Sequence, residues 1–565
     1  MIKTPTRLAV VPTLTVAVLV VPILAGLAGT IAPAAGYFPS GGGKGLSWTP
    51  VAMFFDWPGW SQSIFLSVWV GVLSTLGALI AAMLVVAGWS GTRTFRALER
   101  LLSPLLSVPH AAAALGLAFL IVPSGWLSRI ASPGITGWTQ PPDLLTIQDP
   151  WGIALIAGLI AKELPFVLLM TLAALPQTDA PARARVTSAL GYGRIKGWLI
   201  AVFPAVYAQI KLPVYVVLAY GMSVVDVAII LGPNTPPPLS VQVVRWMADP
   251  DLAMRMPAAV GALIQLALVI GALVAWRMGE HLIARLGQRW AHSGGRMARD
   301  GALRGIGLIL GVVSAGAVMT ALASLAVWSF AARWRFPNVL PDNFTLRTWE
   351  RHGAEVSEVG ILTLSLAIAT AFAALILTIG CLEGEHRRNS PMKQSAVWLL
   401  YLPLIVPQVA FLPGLQHLAL LTGLDRGLIP VFAVHLVFVL PYVFLSLAGP
   451  FRAWDTRLAT LAAAMGKGPE AVLWRLRLPM LLGPLLVALA VGMAVSVGQY
   501  LPTLLIGGGR VSTLATEAVA LAAGGDRRAI GVWGLVQTAA ALVPFAVALL
   551  IPSIVYARRK GMRDG

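Results

Sequence analysis

Charge is scarce in this sequence. Only 11% of its 565 residues are Asp, Glu, Lys or Arg, where a soluble domain carries roughly a quarter. No long polar stretch exists from which a soluble domain could be built. Cysteine is nearly absent: Cys381 stands alone, which rules out an internal disulfide and a cysteine-clustered metal site. The phosphate-binding pattern G-x-x-x-x-G-K-[ST] is missing too. Gly41-Gly42-Gly43-Lys44 comes nearest, but it lacks the spacing. The chain should therefore not hydrolyse ATP by itself. Nothing resembles a catalytic triad, a paired-carboxylate site or a zinc site, so no catalytic residue and no metal ligand is expected.

What is present is apolar. Hydrophobic residues make up 58% of the chain, and the mean hydropathy is +0.81. A helix needs about 20 mostly apolar residues to cross a bilayer. Such segments lie near 8–32, 62–89, 101–122, 151–176, 206–232 and 256–277, and again near 305–330, 357–381, 396–422, 429–450, 480–506 and 529–556. The expected fold class is an all-α integral membrane protein with about twelve transmembrane helices. Prolines such as Pro104, Pro109, Pro165, Pro403, Pro407 and Pro441 fall inside these spans, which membrane helices tolerate. Lys3 and Arg7 before the first span give it the look of a signal peptide. Its apolar run exceeds the 7–15 residues of a signal core, so a retained anchor helix is expected.

The net charge of +18 has two readings, nucleic-acid binding and the enrichment of Lys and Arg in cytoplasmic loops. Distribution favours the second. With the N-terminus inside, the cytoplasmic segments are 1–7, 90–100, 177–205, 278–304, 382–395, 451–479 and 557–565. They hold Arg93, Arg96, Arg100, Arg285, Arg289, Arg296, Arg299, Arg558, Arg559 and Lys560. Acids such as Asp56, Asp143, Asp149, Asp249, Asp251, Asp342, Glu350, Glu355 and Glu358 gather on the other side. Both termini are expected in the cytoplasm, the bilayer is the expected surrounding, and no nucleic-acid partner is implied.

The chain repeats itself. Arg185 to Pro204 reads RVTSALGYGRIKGWLIAVFP, and Thr460 to Pro479 reads TLAAAMGKGPEAVLWRLRLP. In each, a small-residue run leads to a glycine, with proline thirteen residues later. An offset of 275 carries Gly191 to Gly466, Pro204 to Pro479, Gly232 to Gly507, Leu239 to Leu514 and Asp251 to Asp526. Leu164-Pro165-Phe166 corresponds to Leu440-Pro441-Tyr442, and Val108-Pro109 to Val406-Pro407. Matches in one order and in matching places argue for duplication, with two parallel six-span halves. The organisation expected is an anchor helix and outer loop over 1–57, a first membrane domain over 58–277 and a basic linker over 278–304. A leading helix and loop over 305–349, a second domain over 350–556 and a basic tail over 557–565 follow.

The repeated segment is too long for a tight turn. It should form a short helix, a glycine-marked turn and a second helix entering the membrane at the proline. Small residues allow a partner's backbone to approach, basic ones can meet acids, and Trp198 and Trp474 add large aromatic surfaces. A loop lying on anionic lipid is the plainer reading.

This pattern resembles the EAA loop of permease subunits in binding-protein-dependent ABC importers. The resemblance covers roughly residues 58–277 and 350–556, and the layout is similar to the fused double permeases of the ferric-iron and thiamine type. The Gly-to-Pro spacing matches in both halves. The acid does not: Arg185 and Thr460 stand where that loop has glutamate, followed by Val186-Thr187 and Leu461-Ala462. The resemblance implies a bacterial inner-membrane permease whose coupling residues are Arg185, Ala189, Gly191, Trp198 and Pro204 in one half. Their counterparts are Thr460, Ala464, Gly466, Trp474 and Pro479. It implies two copies of a cytoplasmic ABC ATPase as partners, with ATP and magnesium bound there and no cofactor in this chain. It also implies a periplasmic or lipid-anchored solute-binding protein.

Ionisable residues within spans are candidates for the pathway. Asp226, in SVVDVAII, reads either as a contact for a cationic or metal-bearing substrate or as a structural hydrogen-bonding group. Lys162 and Glu163 point about 100° apart on a helix, so each should pair elsewhere, in a structural ion pair or beside a water-filled vestibule. His110, His417 and His435 are isolated and read as satisfied polar groups. An ion-coupled secondary transporter with two six-span halves is the alternative, but the loop GWSGTRTFRALER lacks the aspartate such carriers place there. A membrane enzyme would need clustered polar groups, and none is seen.

Overall fold

The computed structural model describes residues 6–388 and 394–556. The tail 557–565 with Arg558, Arg559 and Lys560, residues 1–5 with Lys3, and residues 389–393 of the segment 382–395 lie outside the described residues. The first half runs through α1 (Thr6–Ala34), α2 (Trp60–Trp89), α3 (Arg93–Leu105), α4 (His110–Ile121) and α5 (Ile153–Ala174). It continues through α6 (Ala180–Ala189), α7 (Arg194–Ala201), α8 (Phe203–Ser223), α9 (Asp226–Leu231), α10 (Leu239–Met247) and α11 (Arg255–His292).

The second half begins with α12 (Gly301–Phe330), α13 (Arg347–Arg388), α14 (Gln394–Ile405), α15 (Gln408–Thr422), α16 (Leu428–Ala453) and α17 (Arg457–Ala464). After the segment Pro469–Met480 come α18 (Leu482–Val497), α19 (Leu501–Gly507), α20 (Leu514–Ala522) and α21 (Arg527–Val555). Among the described residues, strands are confined to two short antiparallel pairs, Tyr37–Phe38 with Gly43–Lys44 and Ala331–Arg333 with Asn343–Phe344.

Ten of these helices are long and apolar enough to cross a membrane. Two further pairs, Trp398–Ile405 with Gln408–Thr422 and Pro469–Met480 with Leu482–Val497, bend by 86° and 75°, which makes up to twelve spans. The count agrees with the sequence; several boundaries do not. The span expected at 101–122 is cut at 106–109, because Pro109 donates no N–H and pushes the residue before it out of the helical region. Lys162 donates to the carbonyls of Leu105 (2.7 Å) and Leu106 (3.1 Å) at this break. The span expected at 206–232 ends at Ser223. There Gln265 donates to the Met222 carbonyl (2.9 Å) and Ser240 to that of Val224 (3.0 Å), so the break leaves these groups satisfied inside the protein. The spans expected at 396–422 and 480–506 are broken likewise. Helix α11 runs on to His292, well into the expected linker. Glu280 holds it there by accepting from Tyr207 (2.9 Å) and Tyr215 (3.0 Å) and pairing with Lys211 at 2.6 Å.

The two halves share one core. Leu115, Leu231 and Trp246 from the first belong to the same buried cluster as Leu325, Phe411, Leu514 and Trp533 from the second. Their leading helices are exchanged. Helix α1 lies on α15, where Gly26 and Gly29 meet the backbone of Phe411 and Gly414 and Thr30 donates to the Ala410 carbonyl (2.9 Å). Helix α12 lies on α2 and α4, with Gly116 against the backbone of Ala321. Small residues bring helix axes close enough for dispersion to hold them where lipid offers no hydrophobic drive.

Candidate functional site

The repeat seen in sequence is a repeat in space. Helices α10 and α20 begin and end 275 positions apart. The N–H of Leu239 is capped by the Ser67 hydroxyl of α2 (3.0 Å), and that of Leu514 by the Thr363 hydroxyl of α13 (3.0 Å). Asp251 accepts from the N–H of Ala253 (2.9 Å) and Asp526 from that of Arg528 (3.0 Å), so Asp251 caps the short turn that leads into α11 and Asp526 caps α21 itself.

The arginine-rich segments between α5 and α8, and between α16 and α18, also match in the way their first helix is closed. Helix α6 ends with Tyr192 N–H on the Thr187 carbonyl (3.1 Å) and Gly191 N–H on that of Ser188 (3.0 Å). Helix α17 ends with Lys467 N–H on Ala462 (2.9 Å) and Gly466 N–H on Ala463 (2.9 Å). This double closure needs a left-handed residue, supplied by Gly191 at φ +78° and Gly466 at φ +72°. On each helix two apolar side chains one turn apart stand out in solvent: Val186 (59% exposed) and Leu190 (55%), then Leu461 (61%) and Met465 (70%). They too are 275 apart. Arg185, Ala189, Thr460 and Ala464 are exposed on the same helices.

The tryptophans are not counterparts. Trp198 is buried, its counterpart at the offset is the buried Leu473, and Trp474 faces outward. Pro204 is the second residue of α8, where a missing N–H costs nothing. The Pro479 carbonyl accepts from the Tyr556 hydroxyl.

Each segment is tied down by charged side chains, among them the buried Lys196, Asp300, Glu383 and Arg477, that sequence reasoning missed. In the first half Asp300 accepts from the Ile195 N–H (2.8 Å), and Arg194 donates to the carbonyls of Ala87 (3.2 Å) and Ser90. Burial disfavours the charge of Arg194, which lowers its pKa; nearby Arg304 lowers it further, and Asp300 opposes the shift. Buried Lys196 donates to the carbonyls of Trp290 (3.3 Å) and Gly295 and sits 4.5 Å over the Trp290 ring. In the second half Arg477 pairs with Glu383 at 2.6 Å, stacks 4.3 Å over Trp454 and donates to His386 (2.7 Å). Arg387 bridges Glu383 (2.7 Å) and Glu470 (2.8 Å). No periodicity marks such charges, since their partners lie in distant elements.

Polar groups of the spanning helices gather within each half, around Glu163 in the first and around His435 in the second. Asp226 is 9% exposed and is the first residue of α9, after the break, rather than a residue in mid-span. His110 lies 3.2 Å from Glu163 and its ring is 4.9 Å from that of Tyr220. Lys162, the neighbour of Glu163, serves the α3–α4 break instead of an acid. His435 is satisfied by the hydroxyls of Ser496 and Thr503, each at 2.9 Å, as expected for a polar group in the core. His417 packs edge-on to Phe38.

Two parallel halves of broken helices, each carrying the same glycine-closed helix at its arginine-rich end, define a membrane permease. The chain belongs to the family of binding-protein-dependent transport system inner membrane components, whose description matches residues 376–559. It is 31% identical over 520 residues to the inner membrane ABC transporter permease protein YnjC of Escherichia coli (strain K12), covering 91% of this chain and 92% of that one. It is 28% identical over 141 residues to the putrescine transport system permease protein PotI of Escherichia coli (strain K12), covering 23% of this chain and 49% of that one. A further match is to the spermidine/putrescine transport system permease protein PotC of Haemophilus influenzae, 25% identical over 120 residues, 21% of this chain and 47% of that one. No solved structure matches. The chain is thus a multi-pass inner-membrane component of a transport system, all-α in fold.

Proposed function

We propose that this chain forms the translocation pathway of an ABC importer and that α6 and α17 are the points where two copies of a separate ATPase dock. The observation that carries this reading is the duplicated pair of exposed apolar residues, Val186 with Leu190 and Leu461 with Met465, on helices ended by the same left-handed glycine. An apolar side chain presented to solvent from a rigid helix end suits a groove on a partner better than a lipid surface alone. The buried anchors behind each helix make it a lever: force applied at α6 reaches α11 through Lys196 and the start of α12 through Asp300, and force at α17 reaches α13 through Arg477 and Glu383. Magnesium and ATP belong to the partner. A periplasmic or lipid-anchored solute-binding protein meets the opposite face, and both termini lie with α6 and α17 in the cytoplasm.

The test is co-purification from mild detergent. Recovery of an ABC ATPase at two per chain, lost on Leu190→Asp with Met465→Asp while the permease still accumulates in the membrane, supports the reading. Recovery unchanged by the double substitution moves the docking site elsewhere.

A further inference from the structure

The two halves differ at the arginine-rich ends of their spans. In the second half, α1, α13, α14 and α16 enclose a cavity of about 210 Å³. Its wall is apolar over Pro12, Val16, Leu19, Leu399, Leu400 and Phe444. The small polar groups in that wall are already engaged: Thr15 donates to the Val11 carbonyl (2.9 Å) and lies 3.1 Å from the Cys381 sulfur. Glu385 and Arg388, in the last turn of α13, line the cavity at one end. Val16 is 39% exposed, so the cavity is open at α1, on the side that faces lipid.

The matched corner of the first half is full. Ser67 and Thr363, whose hydroxyls cap α10 and α20, stand 296 positions apart, and the same step carries Trp89 to Glu385. The Trp89 indole N–H donates to the Arg304 carbonyl of α12 (2.8 Å), and the Arg304 guanidinium lies 5.2 Å from the centre of the ring. The ring packs against the buried cluster that holds Leu98 and Leu102 of α3. Gly307 and Gly311 let α12 close on Leu84 and Leu98. Where the first half has this indole, the second has a carboxylate drawn to Arg452, which bonds both of its oxygens (3.1 and 2.9 Å). The space left is larger than the apolar cavity of about 150 Å³ that takes up benzene.

We propose that this cavity holds an acyl chain of an anionic phospholipid, with the lipid phosphate at Arg388. The acids nearby are taken: Glu383 by Arg387 and Arg477, Glu470 by Arg387, and Glu385 by Arg452. Arg388 is exposed and adds a positive charge that none of these pairs cancels. A phosphate gives its planar fork a charge-assisted partner. The apolar wall suits an acyl chain and offers a soluble anion nothing to bind. On the orientation proposed above the lipid belongs to the cytoplasmic leaflet, but the site itself stands without that reading. The lipid completes the seat of α1 and packs behind the end of α13, where Glu383 holds the segment that follows α17. The first half braces its docking helix with Lys196 and Asp300 alone; the second borrows part of its brace from the membrane.

Cys381, the one cysteine of the chain, lines the cavity and reports on it. Full-length protein is placed in nanodiscs of phosphatidylcholine alone or mixed with phosphatidylglycerol, and the thiol is timed against N-ethylmaleimide, an uncharged reagent. Phosphatidylglycerol is expected to slow the reaction several-fold. Arg388→Gln should remove that difference and leave the rate in phosphatidylcholine unchanged. Equal rates in the two lipids overturn the proposal. So does slowing that persists in Arg388→Gln, which marks a general effect of bilayer charge, and so does equal slowing by glycerol phosphate in phosphatidylcholine discs, which marks a site for a soluble anion. A thiol unreactive in every lipid and in detergent shows a closed cavity and removes the site. Leu399→Trp, which fills the cavity, should likewise erase the lipid dependence, and it carries the test if Arg388→Gln does not accumulate. No ATPase enters the measurement, so its failure leaves the docking reading untouched.

Discussion

Arg477 and Glu383 form a 2.6 Å ion pair closed off from solvent on both sides. It joins the segment behind α17 to the end of α13. Removing one partner of a buried pair leaves the other charge uncompensated, at a cost of about 3–5 kcal/mol.

Arg477→Ala or Glu383→Ala is therefore expected to lower the thermal midpoint of the detergent-purified protein by several degrees. The double replacement Arg477→Met with Glu383→Leu should recover part of that loss, since an apolar pair of similar volume often does as well, while Arg387, which also bonds Glu383, is left with the exposed Glu470. A double variant no better than either single one would show that the pair is not what holds the segment.

Gly466→Ala and Gly191→Ala should cost about the same. Each forces an L side chain into the left-handed region, at about 1–2 kcal/mol. A Cβ on Gly466 meets nothing within 4 Å, whereas on Gly191 it comes 3.3 Å from Arg296. That contact is with the free end of the exposed Arg296 side chain, which can move aside, so both variants should show similar drops in thermal midpoint, and a markedly larger drop for one would show that its turn is held by more than the backbone. The double change Gly191→Arg with Gly466→Arg is expected to abolish uptake while leaving membrane insertion intact. Unchanged uptake by a stably expressed double variant would count against the coupling role.

Lys162→Met removes the donor that serves the carbonyls of Leu105 and Leu106. An unsatisfied buried carbonyl costs about 1–3 kcal/mol. The expected signature is faster proteolysis between α3 and α4, with the rest of the digestion pattern unchanged. Glu163→Gln should not reproduce it, because Glu163 faces His110 instead.

Gly414→Leu is expected to unseat α1, whose backbone lies against that glycine, and Gly116→Leu to unseat α12. A cysteine pair placed at Thr30 and Ala410 in the Cys381→Ser protein should cross-link readily, and Gly414→Leu should reduce that yield several-fold. A yield unaffected by Gly414→Leu would refute the close approach.

Hydropathy made the spans legible, and the spacing of glycine and proline made the repeat legible. The breaks were harder. Pro109 and Pro407 were visible as matched residues, yet a proline is compatible with a continuous membrane helix, so its effect depended on whether Lys162 was at hand to take the freed carbonyls. The break before Asp226 carries no mark at all: Ser223, Val224 and Val225 continue an apolar run, and the groups that make the break tolerable, Ser240 and Gln265, come from later helices. Pairing Trp198 with Trp474 failed for a similar reason. The backbone repeats at 275, the tryptophans are spaced at 276, and one residue turns a helix side chain through about 100°. The acids Asp226 and Glu163 were seen one at a time, and His110, which lies 3.2 Å from Glu163, was read as isolated because nothing in the spacing brings residues 110 and 163 together.

The exchange of leading helices bears on biogenesis. Thr30 closes its bond on Ala410, 380 positions later in the chain. Helix α1 is thus made long before α15, and its seat does not exist until α15 has been translated. Had the halves been separate chains, each newborn anchor would have had to find a partner by diffusion in the membrane. Joining them in one polypeptide guarantees that the seat arrives, in a single copy and in the right orientation, and makes a prematurely truncated product recognisable to quality control by its orphaned first helix.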